Sequence, residues 1–200
     1  MLQLEEASEI YGRHNRTEGQ ARCLQGIAEL LAMDNQHYAA EEVASRALNL
    51  SDKPGPSQVY DHHHTLGHLC GSRGEMEASI RHFNSALGIA SSLGLEDKKA
   101  QICWCLAKVF ANNVRFCDAE VYLERSRPYM ENHPFTPYMV TALRAYVWSG
   151  QGRFEEAKSE LLRIIGAYEG GAPREGLKEA SDILDDSKAL LKVIEVGMGR

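Results

Sequence analysis

One pattern recurs along the chain at a nearly constant interval: a bulky residue just past a turn, followed within three positions by a small one. It stands at Tyr38-Ala39-Ala40, Met76-Glu77-Ala78-Ser79, Phe116-Cys117-Asp118-Ala119 and Phe154-Glu155-Glu156-Ala157. The small members Ala40, Ser79, Ala119 and Ala157 are 39, 40 and 38 residues apart, and Leu4-Glu5-Glu6-Ala7 repeats the pattern 33 residues before Ala40. Downstream of three copies come Arg46-Ala47-Leu48, Ser85-Ala86-Leu87 and Arg163-Ile164-Ile165. Upstream lie the matching spacings of Leu24, Ile27, Ala28 and Leu31, of Leu66, Gly67 and Cys70, and of Cys103, Leu106, Ala107 and Phe110. A weaker version is carried by Ala145 and Trp148. A period of this length is that of one supersecondary unit copied along a chain, each copy burying its apolar stripe against the next.

The copies are helical. There is no Asn-Gly or Asp-Gly hairpin turn and no sustained alternation of period two. Breakers stand at Lys53-Pro54-Gly55-Pro56-Ser57, Ser92-Leu93-Gly94, Asn132-His133-Pro134-Phe135-Thr136-Pro137 and Gly170-Gly171-Ala172-Pro173. Weaker ones, Asp34-Asn35, Gly71-Ser72-Arg73-Gly74, Asn112-Asn113 and Ser149-Gly150-Gln151-Gly152, divide each intervening segment into two helices. Ser57 is the expected N-cap of its helix, and Gly94 a C-terminal stop. Ala28, Gly67, Ala107, Ala40, Ser79 and Ala119 are read as small because two helix backbones approach closely there. The expected fold is an all-α, right-handed α-solenoid of stacked antiparallel helix pairs. Residues 2–14 form the second helix of a partial repeat, and 17–51, 57–94, 95–132 and 135–168 form four repeats. Residues 172–196 form a capping helix with apolar Leu177, Ala180, Ile183, Leu184, Leu190, Leu191 and Ile194 on one side.

These residues resemble the tetratricopeptide repeat (TPR) family, whose unit runs large–x2–Leu–Gly/Ala–x2–large, then Ala–x3–large, then Ala. The resemblance covers about residues 2–168. Ser126-Arg127 in the third unit and Arg144 in the fourth depart from it. More narrowly, Glu18-Gly19-Gln20-Ala21-Arg22-Cys23-Leu24 and Gly152-Arg153-Phe154-Glu155-Glu156-Ala157 resemble phrases of the TPR arrays in fungal signalling proteins of the NACHT/NB-ARC type. In such proteins the array often follows a nucleotide-binding module, so the resemblance implies either a free-standing array or the C-terminal fragment of something larger. No Gly-x4-Gly-Lys-Ser/Thr phosphate loop occurs in this chain, and the unpaired opening helix suggests an array continued beyond it.

Composition excludes several roles. Among 200 residues, 22 Lys and Arg face 28 Asp and Glu, so the chain lacks the clustered positive field that nucleic-acid binding needs. No run reaches the roughly 18 apolar residues of a membrane span, and Met1 to Glu6 has no secretory character. Five cysteines without a CxxC motif suit a reducing compartment, so a cytoplasmic location is expected.

No catalytic constellation emerges. His62-His63-His64 and His68 form the densest titratable cluster, but only His64 and His68 share a helix face, and no third ligand is placed to complete a zinc site. They are read as a surface or groove cluster, with no metal and no cofactor expected. Cys103 and Cys105 point to nearly opposite sides of a helix and cannot pair. Paired acids such as Glu5-Glu6, Glu41-Glu42 and Glu155-Glu156 sit at helix starts, where the dipole favours them. There is no nucleophile elbow. The chain is therefore not expected to be an enzyme.

In the family resembled, the first helix of each pair lines a concave groove. Helical spacing opposite the buried stripe then selects Arg22, Gln25 and Glu29; Asp61, His64 and His68; Gln101, Trp104 and Lys108; and Met139, Ala142 and Tyr146. One Trp and one Tyr among hydrogen-bonding side chains suit a peptide or helix of a partner protein. The Lys/Asn arrangement that clamps a chaperone's C-terminal carboxylates in some relatives is absent. The expected function is a non-catalytic protein–protein interaction scaffold, with a ligand-sensing regulatory array of a larger nucleotide-binding signalling protein as the alternative. Exposed repeat ends leave self-association open.

Overall fold

The computed structural model describes residues 1–50, 54–127, 136–169 and 177–198. Of the breaker expected at 132–137, residues 132–135 lie outside the described residues, while Thr136 and Pro137 open a helix; the loop expected at 170–173 and the side chains of Leu177, Ala180 and Ile183 lie outside them too. The described residues form ten helices and no strand: α1 Leu2–Arg13, α2 Thr17–Met33, α3 His37–Asn49, α4 Pro56–Ser72, α5 Met76–Ser92, α6 Glu96–Asn112, α7 Phe116–Arg125, α8 Thr136–Gly150, α9 Phe154–Glu169 and α10 Leu177–Met198. None is long and apolar enough to cross a membrane.

The helices end in one recurrent way. Asn15, Asn35, Gly74, Gly94, Val114 and Gly152 all take positive φ, between 53° and 78°. After each, a backbone N–H reaches back five residues into the preceding helix at 2.9 Å: Arg16 to Tyr11, Gln36 to Leu31, Glu75 to Cys70, Leu95 to Ala90, Arg115 to Phe110 and Arg153 to Trp148. This is the Schellman closure, which satisfies an orphan carbonyl and turns the chain sharply. The start of α4 departs from expectation: its N-cap is Gly55, with Pro56 as first helical residue. Gly55 N–H donates to Gln58 Oε1 at 2.9 Å, so Ser57 falls inside the helix. Proline's fixed φ and missing donor suit the first position.

The chain divides into two compact units, Met1–Ile102 and Cys103–Arg200. In the first, α1 packs on α2, α2 on α3 and α4, α3 on α4, and α4 on α5. Its core gathers Ala21, Leu24, Ile27, Leu31, Ala40, Ala47 and Leu69, with Leu4, Val43, Leu50 and Leu66 around them. Each large side chain fully buried here stabilises by roughly 1.5–3 kcal/mol. Ser79 is fully buried, and its hydroxyl donates to the Gly67 carbonyl at 2.7 Å, joining α5 to α4 where both residues are small.

In the second unit α7 packs on α8, α8 on α9, and α10 on both α8 and α9. Ala145, Ala157, Leu161 and Ile194 form its core, flanked by Trp148, Leu190 and Leu191. At the two departures from the repeat pattern, polar residues are accommodated. Ser126 is fully buried and donates to the Leu123 carbonyl at 2.7 Å. Arg144 lies 3.7 Å from Glu160 and over the Trp148 ring.

An arginine in the turn after α4 and another after α8 play matching parts. Arg73 Nη1 donates to Glu41 of α3 at 2.7 Å, and Arg153 Nη1 to Glu120 of α7 at 2.7 Å. Each ties a helix pair to the second helix of the pair before it.

Candidate functional site

The residues selected by spacing behave differently in the two units. In the first, most are engaged with neighbouring helices. Gln25 is 8% exposed, and its amide donates to the Thr65 hydroxyl and, at 3.1 Å, to the Asp61 carbonyl. Asp61 meets Lys98 at 3.3 Å. Gln101 accepts from the Tyr60 hydroxyl at 3.5 Å. Arg22 and Glu29 are exposed, Arg22 pairing with Glu18 at 3.3 Å. The Glu29 carboxyl is raised above its ordinary pKa by the protein that flanks it and by the charge of Asp61.

The histidines stack. His64 lies parallel to Tyr60 with ring centres 6.0 Å apart, and His68 meets Phe83 edge-on at 5.1 Å. Burial, aided by the charge of Lys98, pulls the His64 pKa down to about 4, and burial also lowers His62, His63 and His82. The Nε2 atoms of His64 and His68 are 3.2 Å apart, close to the separation of two ligands on one tetrahedral zinc ion.

In the second unit Trp104, Lys108, Met139, Ala142 and Tyr146, all selected by spacing, line one cavity of about 370 Å³. Trp104 and Lys108 come from α6, and Met139, Ala142 and Tyr146 from α8. Two whole turns separate Met139 from Tyr146, so both fall on one face. Tyr146 is 39% exposed and stands edge-on to Phe116 at 5.8 Å. Lys108 is exposed, with its ammonium 5.7 Å from the centre of the Trp104 ring.

The cavity also takes residues that spacing along the first helices does not select: Asn112, Leu143, Leu161, Asp186, Ser187 and Leu190. Three of them come from α10, which reads in sequence as a cap with a polar outer face. A signal for this exists in the sequence: Ser187 lies three residues before Leu190 and four before Leu191, so it shares their inward face. Two polar atoms on lining residues, Trp104 Nε1 and Ser187 Oγ, are closed off from solvent and have no hydrogen-bond partner among the described residues. Ser187 is only 2% exposed. Cys103 and Cys105 are both buried, and burial pushes the Cys105 thiol up to about 12, so it stays protonated.

No protein-family model and no curated protein matches the sequence. Solved structures do resemble it. The crystal structure of BtubC (BKLC) from P. vanneervenii superposes with a TM-score of 0.69 at 19% identity, covering 98% of this chain and 88% of that one. A Podosopora anserina protein described as a putative kinesin light chain with nearly identical TPR-like repeats gives 0.60 at 14% identity, covering 86% and 94%. A single-residue variant of that protein gives 0.61, also at 14% identity, covering 88% and 93%. At these identities the likeness establishes the fold: all-α, of the TPR-like solenoid class.

Proposed function

We propose that the chain is a non-catalytic interaction scaffold that holds a peptide or helix of a partner protein along the inner faces of its first helices. The observation that carries this reading is the gathering of Trp104, Lys108, Met139 and Tyr146 from two successive first helices around one cavity. Aromatic residues half sunk in an apolar depression, with a cation at the edge, are what interface anchors are made of. Affinity purification with the intact chain and with a Trp104→Ala/Tyr146→Ala variant tests this. The variant keeps its helical circular dichroism and loses the partners recovered by the parent. Equal recovery by both removes the proposal.

The cavity volume, within the 300–1,000 Å³ of small-ligand sites, also favours a second reading. In it the array senses a small ligand within a larger signalling protein of the NACHT/NB-ARC type, whose full-length gene product must then encode a nucleotide-binding module.

A further inference from the structure

Helices α1 and α10 each present half of a helix pair. In the complete pairs, one stripe of the second helix faces the first helix. Ser79 donates to the Gly67 carbonyl of α4 at 2.7 Å, and His82 Nδ1 lies 3.0 Å from His63 Nδ1 of α4. Tyr122 stacks on Phe110 of α6 with ring centres 5.3 Å apart. In α3 the same stripe is Ala40, Val43 and Ala47; both alanines are buried, and Val43 packs against the core. The repeat pattern places Ala7, Ile10 and His14 at these positions in α1. There Ala7 is only partly covered, Ile10 is 55% exposed and His14 is exposed. Among the described residues of its unit α1 packs on α2, and none supplies the first helix that this stripe fits.

Helix α10 is the converse. It packs on both α8 and α9, the pair before it, as the first helix α4 packs on α2 and α3. Among the described residues of its unit no second helix lies against it. Ser187 and Ile194 are buried on its inner side. On the other side Ala189, Val193 and Val196 are exposed and run four and three residues apart along one face. A helix that closes a solenoid carries a polar outer face, whereas this one sets out two valines, 67% and 56% exposed.

Charge selects an orientation for joining the two stripes. Glu6 and Arg13 flank that of α1, seven residues apart, and Asp185 and Lys192 flank that of α10 at the same separation. All four are exposed. Antiparallel contact, the arrangement of a turned-back pair, sets Glu6 against Lys192 and Arg13 against Asp185. Parallel contact sets like charge against like, which an interface rejects. Arg13 meets Glu9 at 3.0 Å in an exposed pair that costs little to exchange.

We infer that the chain associates with copies of itself head to tail, α10 of one copy and α1 of the next forming a shared antiparallel pair. The contact joins unlike surfaces, so a dimer still offers one of each. It uses neither Trp104 nor Tyr146, and so stands or falls separately from the groove.

Sedimentation of the full chain at rising concentration tests this, with the average mass expected to climb. Ile10→Glu and Val193→Glu alter exposed side chains, so each should keep the parent's circular dichroism and urea midpoint. Alone, each should sediment as a monomer. Mixed in equal amounts they should form a heterodimer and nothing larger, because the first retains α10 and the second retains α1. Lys192→Glu should weaken association by about tenfold, and adding Glu6→Lys to it should restore the parent's affinity. A parent that stays monomeric at millimolar concentration overturns the proposal. So does a mixture of the two variants that stays monomeric while the parent associates, or a Val193→Glu chain that associates as the parent does, since the contact then joins other surfaces. Failure of Glu6→Lys to restore Lys192→Glu overturns the antiparallel pairing.

Discussion

The ring of Phe83 occupies the space that a side chain at Gly67 would need: a Cβ there would lie 2.6 Å from Phe83 Cε1 and within 3.0 Å of two further ring atoms. Phe83 is almost wholly buried, so its ring has little room to withdraw. Gly67→Ala is therefore expected to destabilise the first unit by about 1–3 kcal/mol through overpacking. Urea denaturation of Gly67→Ala, Phe83→Leu and the double variant checks it. The double variant should lose less than the sum of the two single losses, and strict additivity would show that the two residues do not compete for space.

Val114 stands where the other helix closures use Asn or Gly. Its φ is 62°, in the left-handed region, and its side chain is 70% exposed, so little packing compensates for the strain. The left-handed conformation costs an ordinary residue about 1–2 kcal/mol, and glycine's greater freedom when unfolded returns about half of that. Val114→Gly should raise stability by about 0.5–1 kcal/mol in thermal or urea melts. A loss would mean that the valine side chain makes a contribution its exposure does not suggest.

Glu120 accepts hydrogen bonds from Gln151, Trp148 and Arg153, which hold its carboxyl below the usual carboxylate pKa. The folded pKa is thus below the unfolded one. The contribution is fully present above the unfolded value, about 4.3, and disappears as pH falls through the folded value. Glu120→Gln should flatten the second unit's stability against pH on that acid limb while weakening it near neutrality. An acid limb as steep as the parent's would place the proton uptake elsewhere.

His64 works in a different window. With its pKa brought down to about 4 by burial, it stays neutral in the folded chain while the unfolded chain protonates near 6.5. Stability should fall as pH drops from about 6.5 to about 4, by up to about 3 kcal/mol for this residue alone. His62, His63 and His82, also lowered, add to the slope. Comparing urea midpoints near pH 7 and near pH 5, His64→Gln should show a smaller drop than the parent. An equal drop would remove His64 as a source.

The close-packing positions are legible without coordinates. Ala28, Ala40, Ser79, Ala107, Ala119 and Ala157 are small in the sequence and fully buried in the structure, because a repeat that stacks on its neighbour must keep the same positions small in each copy. The helix closures are only partly legible. Gly94 reads as a stop, but Val114 carries no such signal, since its left-handed turn follows from the helices on either side of it. Gln25 reads as facing outward from its place opposite the buried stripe. In the structure α4 supplies Asp61 and Thr65 to bond it, and no spacing within α2 records what α4 brings.

What the sequence alone determined is the class of object: helices of a set length, turned back in pairs, with an apolar face that only a neighbouring copy can cover. That follows from periodicity, breakers and residue size, which act locally and repeat with the chain. Tertiary structure decided which polar side chains are consumed in holding helices together and which surround a cavity. Gln25 and Trp104 hold comparable places on their own helices, yet one is bonded to a neighbouring helix and the other lines an open, largely apolar cleft walled partly by α10. The difference lies in the chemistry of residues far away in the chain, and only folding brings that chemistry into contact.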